Sequence, residues 1–277
     1  MRLCTLRDGA ELRPGLERAG ELLALDGHVG DLRGLCALEH EALAALAASA
    51  RPAPPGAAPA APLRPGKVIA IGLNYMDHVR EAGMEPPSSP LVFSKFTTSV
   101  IGPGDTILID EELTRRVDWE VELAVVIGRP ARHVSEAAAL DHVFGYTVGN
   151  DVSARDLQFG DVQWVRGKSL DTFCPLGPVV VTADEIADPQ ALRLRTFVNG
   201  EAVQDSSTSE MVFGVAALIA FCSRSFTLEP GDDVILTGTP WGCGEFATPP
   251  RHLAPGDEVV CEIERIGALR NPVAAAR

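Results

Sequence analysis

The 277-residue sequence contains no apolar run long enough to span a bilayer. Its first residues, MRLCTLRDGAELRPG, alternate polar and apolar side chains where a secretory leader carries a continuous apolar stretch. A cytoplasmic protein with no membrane partner is expected. Paired cysteines are missing too: Cys4, Cys36, Cys174, Cys222, Cys243 and Cys261 show no CxxC spacing, which argues against a zinc knuckle or a disulfide framework. They read as reduced, mostly buried small hydrophobes. Positive charge is scarce, with 24 Lys and Arg against 38 Asp and Glu, and the net charge of -14 repels nucleic acid and anionic membranes. An anionic substrate therefore needs local help from a metal or from particular Arg and Lys residues. A strand-helix alternation is also lacking, so a doubly wound parallel sheet is not expected.

What is present suits one sizeable core with a smaller appended domain: 46% of residues are hydrophobic and 22% charged. The Pro/Ala-rich stretch RPAPPGAAPAAPLRPG, Arg51 to Gly66, reads as a stiff, extended connector. It sets the expected division: a small N-terminal α+β domain with its linker over residues 1–62, and the main body over 63–277. The N-terminal part offers two short strand-like pieces and an Ala/Leu-rich helix near Glu39 to Ala48. In the body, Pro-Gly-Asp occurs at 103–105, 230–232 and 255–257, each time ahead of a β-rich run, and Pro-Gly fits the central positions of a type II turn. Helices are expected only at Ser135 to Val143, Thr208 to Cys222 and just after Asn74, so the body is β-rich α+β.

The run VDWEVELAVVIG, Val117 to Gly128, alternates strictly in its first half, the period of a half-buried strand. Asp118, Glu120 and Glu122 then share one face while Val117, Trp119, Val121 and Leu123 take the other. Alternate residues lie roughly 6.5 to 7 Å apart along a strand, and two carboxylates close that gap onto one magnesium-sized ion at about 2.1 Å per oxygen. A dication would relieve the repulsion of such a pair. Taken alone, the strand is also compatible with a solvated face of ordinary acidic residues. Elsewhere, NYMDHVREAG places His78 three residues before Glu81, a helical spacing that lets the carboxylate orient the imidazole as a general base; an exposed helical pair is the alternative. The Gly- and Pro-rich GMEPPSSP that follows suits a hinge.

The stretches KVIAIGLNYMDHV, VDWEVELAVVIG, GYTVGNDVSARDLQ, QWVRGKSLDTFCPLGP, LEPGDDVILTGTP and LAPGDEVVCEIERIGALRNPV together resemble the fumarylacetoacetate hydrolase family, in unbroken order from about Pro65 to Val273. The resemblance implies a mixed β-sandwich roll, usually a homodimer, and cleavage or rearrangement of small 2-oxo and 1,3-dicarbonyl acids with Mg²⁺ or Mn²⁺. It implies Glu120, Glu122 and Asp151 as metal ligands, an oxygen-only set that favours those hard ions over Zn²⁺. Asp118 is left out, as a residue behind the ligands or at the surface. Arg155 and Gln158 are implied as substrate contacts, Arg155 by a forked pair with a carboxylate; a salt bridge to Asp151 or Asp156 is the alternative. Helical spacing over 150–158 would put Asp151, Arg155 and Gln158 on one face.

By the same resemblance, Lys168 is the active-site lysine, Thr239 of the TGTP loop contacts substrate, and the His78 and Glu81 pair belongs to a short helix that closes over the site. The loop continues WGCGEF where relatives carry a small residue and then Gly-Val-Gly, so Trp241 and Cys243 are expected to reshape the pocket floor. Cys243 lacks the His or Asn signature of a thiol nucleophile. His133, His142 and His252 have no comparable partner in sequence. The expected activity is Mg²⁺-dependent hydrolysis of a C-C bond in an acylpyruvate-like 2,4-dioxo acid. The alternatives are oxaloacetate decarboxylation, conversion of a longer 2-oxo acid by hydrolysis, hydration or isomerisation, or a noncatalytic metal-binding accessory role; fold-level likeness does not separate them.

Overall fold

The single strand expected from the alternating run is two strands in the computed structural model, Val117–Asp118 and Val121–Ile127, interrupted at Trp119 and Glu120. The structure describes residues 1–25 and 27–276. The break arises because side chains, not a neighbouring strand, take the amides there. Asp118 accepts the N–H of Trp119, Asn150 that of Glu120 and Gln204 that of Val121, at 2.9, 3.0 and 3.1 Å. Nor is the second strand half-buried. All of Val121–Ile127 is buried, with Leu123, Val125 and Ile127 facing one apolar cluster and Ala124 and Val126 another. Its tail, LAVVI, is the near-continuous apolar run expected of a strand covered on both faces.

That strand lies inside a large mixed sheet whose strands run, edge to edge, Arg51–Pro52, Glu21–Ala24, Glu11–Arg18, Arg2–Asp8, Cys174–Thr182, Val143–Asn150, Val121–Ile127, Asp233–Leu236, Lys67–Gly72 and Leu91–Lys95. A second sheet runs Glu201–Ser207, Arg193–Val198, Glu258–Ile263, Gly267–Ala275 and Ile107–Ile109. Leu123, Val125 and Val148 of the first share a core with Leu194, Val259 and Leu269 of the second. The result is the expected β-rich mixed-sheet architecture.

The Pro/Ala stretch is not a free spacer. Ala58–Ala60 pairs with Arg2–Asp8, Thr5 opposite Ala60, and Arg51–Pro52 pairs with Glu21–Ala24. Proline is tolerated there because both are peripheral strands with no full ladder to donate to. Arg2–Asp8 in turn pairs with Cys174–Thr182, Leu3 opposite Val180, so main-chain hydrogen bonds cross the expected division at residues 62 and 63.

Helices are few and short, as expected: His40–Ala48, Met76–Glu81, Glu136–Ala139, Arg155–Gly160, Val165–Lys168 and Val215–Ser225. The Thr208 to Cys222 expectation shifts, a 3-10 turn at Thr208–Glu210 preceding the helix that begins at Val215. Gly104, Gly231 and Gly256 have φ of 76°, 69° and 100°, the left-handed backbone the three Pro-Gly-Asp turns require. Among the described residues no helix is long and apolar enough to cross a membrane.

The two-sided core makes a direct prediction. Leu123→Ala should destabilise the protein by about 2 to 5 kcal/mol in denaturant unfolding, whereas Leu108→Ala, at a position 40% exposed, should stay within about 0.5 kcal/mol of wild type.

Candidate active site

Glu120, Glu122 and Asp151 each present a carboxylate oxygen within 4.8 Å of the others, and all three are buried. Pairing of neighbouring strands builds this. Val121 lies opposite Asn150, and the N–H of Asp151 donates to the Glu120 carbonyl at 2.9 Å, which fixes the acid ending one strand against the acid opening the other. Helical geometry contributes nothing to Asp151, since the helix begins at Arg155.

Three cations surround the acids. Lys168 Nζ lies 2.6 Å from Glu120 and 2.7 Å from Asp151, Arg155 lies 2.6 Å from Glu120 and 2.8 Å from Asp118, and Lys95 donates to Asp151 and to the Val152 carbonyl. Counting Asp118, four carboxylates face three cations. Burial pushes the Glu120 carboxyl up, but Lys168 and Arg155 outweigh it and hold it at about 2. Glu122 goes the other way: burial and the charges of Asp151 and Glu120 raise it well above 4.5. Its hydrogen-bond partner is the Gly238 N–H at 2.7 Å, and among the described residues no Lys or Arg pairs with it. A hard dication fits this site on two counts, an all-oxygen donor set and one uncompensated buried acid.

A cavity of about 170 Å³ opens beside the acids, lined by all three of them and by His78, Arg155, Gln158, Lys168 and Thr239. Its remaining wall is apolar, with Ile71, Leu73, Met84, Phe93, Trp164 and Phe246 among the lining residues. Of the residues expected from the sequence to ligate metal, contact substrate or act in catalysis, all but Glu81 line it. Glu81 stands behind His78, its Oε2 2.8 Å from His78 Nδ1. An ionised Glu81 places the ring proton on Nδ1 and leaves the Nε2 lone pair free. The short helix carrying the pair is held down: Ser206 Oγ donates to Asp77 at 2.5 Å and the Gly242 N–H to Glu81 at 2.8 Å.

Several expectations change. Arg155 pairs with neither Asp151 nor Asp156 but with Asp118 and Glu120, donates to Gln158 at 2.9 Å, and still lines the cavity. Trp241 is not on the cavity floor; it is 45% exposed and its indole donates to the Asp205 carbonyl. Cys243 is buried and does not line the cavity. His252 does have a carboxylate partner, Glu245 at 3.0 Å, away from the cavity.

Lys95 and Gln204 were missed, and Asp118, left open between a place behind the ligands and the surface, takes the former. Asp118 is fully buried and accepts the N–H groups of Gly244 and Glu245 at 2.8 and 3.0 Å besides pairing with Arg155. The alternation placed it on the same face as the ligands, and that was its signal. Lys95, one charge in the run LVFSKF, is 2% exposed and signalled itself only as a cation among apolar residues. Gln204 gave no signal. Its Oε1 accepts from the Val121 N–H between the two glutamates, and its Nε2 donates to Thr239 Oγ1 at 3.0 Å and to the Pro240 carbonyl at 3.1 Å, clamping the acidic strand to the TGTP loop.

The β-rich scaffold and its buried acidic cavity define an enzyme class that the comparisons name. The sequence model described as fumarylacetoacetate (FAA) hydrolase C-terminal matches residues 67–274. The chain belongs to this family. It is 53% identical over 211 residues to a mitochondrial oxaloacetate tautomerase, fahd2, of Xenopus laevis, covering 76% of this chain and 66% of that protein. The human mitochondrial oxaloacetate tautomerase FAHD2A is 50% identical over 212 residues, 76% of this chain and 67% of its own length. The chain thus spans about two thirds of these relatives. Among solved structures, a fumarylacetoacetate hydrolase from Exiguobacterium antarcticum superposes with a TM-score of 0.89 at 38% identity, over 100% of both chains. A 5-carboxymethyl-2-hydroxymuconate delta-isomerase from Mycobacterium smegmatis gives 0.81 at 36%, also over 100% of both.

The opposed shifts of Glu120 and Glu122 set a pH signature. Glu120, depressed, contributes stability that is complete above the ordinary 4.5 and lost as pH falls toward about 2. Glu122, raised, contributes stability present below 4.5 and lost as pH climbs through its folded value. Metal-free protein should therefore melt lower as pH rises above the ordinary carboxylate range, and Mn²⁺ should progressively remove that loss with release of protons. Parallel melting profiles with and without Mn²⁺ would refute the assignment. The Gln204 clamp makes a second prediction: Gln204→Met, losing both the acceptor for Val121 and the donor to Thr239 and Pro240, should weaken Mn²⁺ binding about tenfold in calorimetric titration.

Proposed function

We propose that the chain is a divalent-metal-dependent enzyme that enolises small 2-oxo acids, with keto–enol tautomerisation of oxaloacetate as its reaction. The observation that carries this is the opening of the acidic triad and the His78–Glu81 pair onto one buried cavity. Glu120, Glu122 and Asp151 would hold Mg²⁺ or Mn²⁺, which when bound polarises the 2-oxo group and favours the enolate. His78, kept in one tautomer by Glu81, takes a proton from C3. The C–H electron pair becomes the C2–C3 double bond, the C2=O π pair moves onto the oxygen, which gains a proton from solvent, and His78 releases its own proton to solvent.

Lys168 supplies a fixed positive charge in the cavity wall for the enolate oxygen, and Thr239 and Gln158 offer hydrogen bonds that orient the acid. The apolar wall excludes water from the reacting carbon. Names borne by relatives at 50% to 53% identity support the oxaloacetate assignment. Hydrolysis of an acylpyruvate is the second reading. It is favoured by the same pair, which would deprotonate a water as readily as a C–H acid.

The test follows the ultraviolet absorbance of enol-oxaloacetate as it converts to the keto form with Mg²⁺, with chelator and in a protein-free blank, beside pyruvate release from acetylpyruvate. Chelator-sensitive conversion is expected, reduced about 10²- to 10⁴-fold in His78→Asn. Pyruvate release without conversion above the blank would replace tautomerisation by hydrolysis, and His78→Asn at wild-type rate would remove His78 from the chemistry.

A further inference from the structure

The loop that follows Thr239 and Pro240 has one available path. The Gly242 and Gly244 N–H groups are fixed on Glu81 and Asp118, each at 2.8 Å. Gly242 sits at φ 96°, and a Cβ on either glycine would fall 2.2 Å from the Val203 carbonyl oxygen or 1.9 Å from that of Arg251. Cys243, between them, is therefore driven inward and is 1% exposed. Its thiol makes only a long contact, 3.9 Å to the Pro240 carbonyl, too weak to account for its placement. On its other side stand the imidazole and carboxylate of the His78–Glu81 pair. One ligand atom from each of His78, Glu81 and Cys243 lies within 4.8 Å of the other two.

We propose that His78, Glu81 and Cys243 form a second metal site, selective for zinc-class cations, beside the oxygen-only triad. Nitrogen, oxygen and thiolate sulfur are the donors of three-ligand zinc sites, at about 2.0 to 2.3 Å, with a fourth position left for water. Two such atoms on a common tetrahedral ion stand roughly 3.3 to 3.6 Å apart, a separation that small side-chain rotations reach from the present arrangement. Charge also closes: a neutral imidazole, a carboxylate and a thiolate neutralise a dication, as a buried site requires. Burial, with the charges of Asp118 and Glu120, raises the Cys243 thiol well above 9.0, so the ion must displace its proton, and a soft ligand set gains most from Zn²⁺ or Cd²⁺ and little from Mg²⁺.

His78 lines the cavity and gives the ion a way in. Among the described residues the other five cysteines belong to no such group. The two neighbouring sites thus sort cations by hardness. Occupation of the second takes Glu81 away from the imidazole, so Zn²⁺ should arrest turnover even with Mg²⁺ in excess. That last consequence, unlike the binding, rests on the reading of His78 as the base.

The experiment titrates Cd²⁺ into the full chain with Mg²⁺ saturating, and follows the ultraviolet charge-transfer band of a cadmium thiolate. One equivalent of band is expected, lost in Cys243→Val and in Cys243→Ser, with both variants checked for wild-type circular dichroism. No band in the wild type, or a band that survives in a folded Cys243 variant, overturns the site. In parallel, Zn²⁺ should inhibit tautomerisation at least about tenfold more weakly in the Cys243 variants. If the band behaves as expected but Zn²⁺ leaves turnover unchanged, the site stands and the assignment of His78 as base falls.

Discussion

Four carboxylates buried beside three cations leave one acid that the protein's own side chains do not neutralise, and Glu122 bears it. Unpaired buried charge is costly, so the surrounding structure has to hold these groups together against repulsion and keep water from relieving it. It does so with main chain. The strand break at Trp119 and Glu120, the Asn150 and Gln204 side-chain acceptors, and the Gly238 amide on Glu122 each spend backbone hydrogen-bonding capacity on orienting an acid. An apolar sheet buried on both faces makes that arrangement stiff. The anomaly at Glu122 and the rigidity of the core are two sides of one design: a fixed cavity whose one uncompensated acid favours a bound cation.

The same excess of acid explains the ion pairs of Arg155, which also lines the cavity. Its guanidinium balances Asp118 and Glu120, and Asp118 in turn fixes the amides of Gly244 and Glu245. The arginine therefore ties the acids to the loop that carries Thr239 and Cys243. Lys168 differs. It borders the cavity, lies over the Phe93 ring at 5.4 Å and faces two of the triad's acids, so a cation that takes over those acids leaves the ammonium beside a substrate oxygen.

What could be read from the sequence was whatever local spacing encodes. Glu120 and Glu122 declare themselves by alternation, and His78 and Glu81 by one helical turn; the Pro-Gly-Asp turns declare the strands after them. The residues missed depend on chain separation instead. Lys95 reaches Asp151 across 56 positions, Gln204 reaches Val121 across 83, and Gly244 reaches Asp118 across 126. No periodicity records such contacts, since they follow from sheet order and register. The Pro/Ala stretch misled for a related reason: its composition specifies an extended chain, but only the presence of Arg2–Asp8 alongside turns that chain into a strand.

Tautomerase, isomerase and hydrolase names occur together among the relatives and structural neighbours of this chain. On the proposed reading each reaction passes through, or departs from, an enolate of a 2-oxo acid, which a metal on the acidic triad together with Lys168 would stabilise. The reactions differ in what the free nitrogen of His78 meets: a C–H bond in tautomerisation, a water molecule in hydrolysis. That choice belongs to the cavity wall, which decides whether a water fits beside the substrate. The cavity of about 170 Å³ sets polar residues, the three acids, Arg155, Gln158, Lys168 and Thr239 among them, beside the apolar Ile71, Leu73, Met84, Phe93, Trp164 and Phe246. Proton transfer to carbon needs no such water, so apolar side chains packed against the reacting carbon would favour the proposed tautomerisation over hydrolysis.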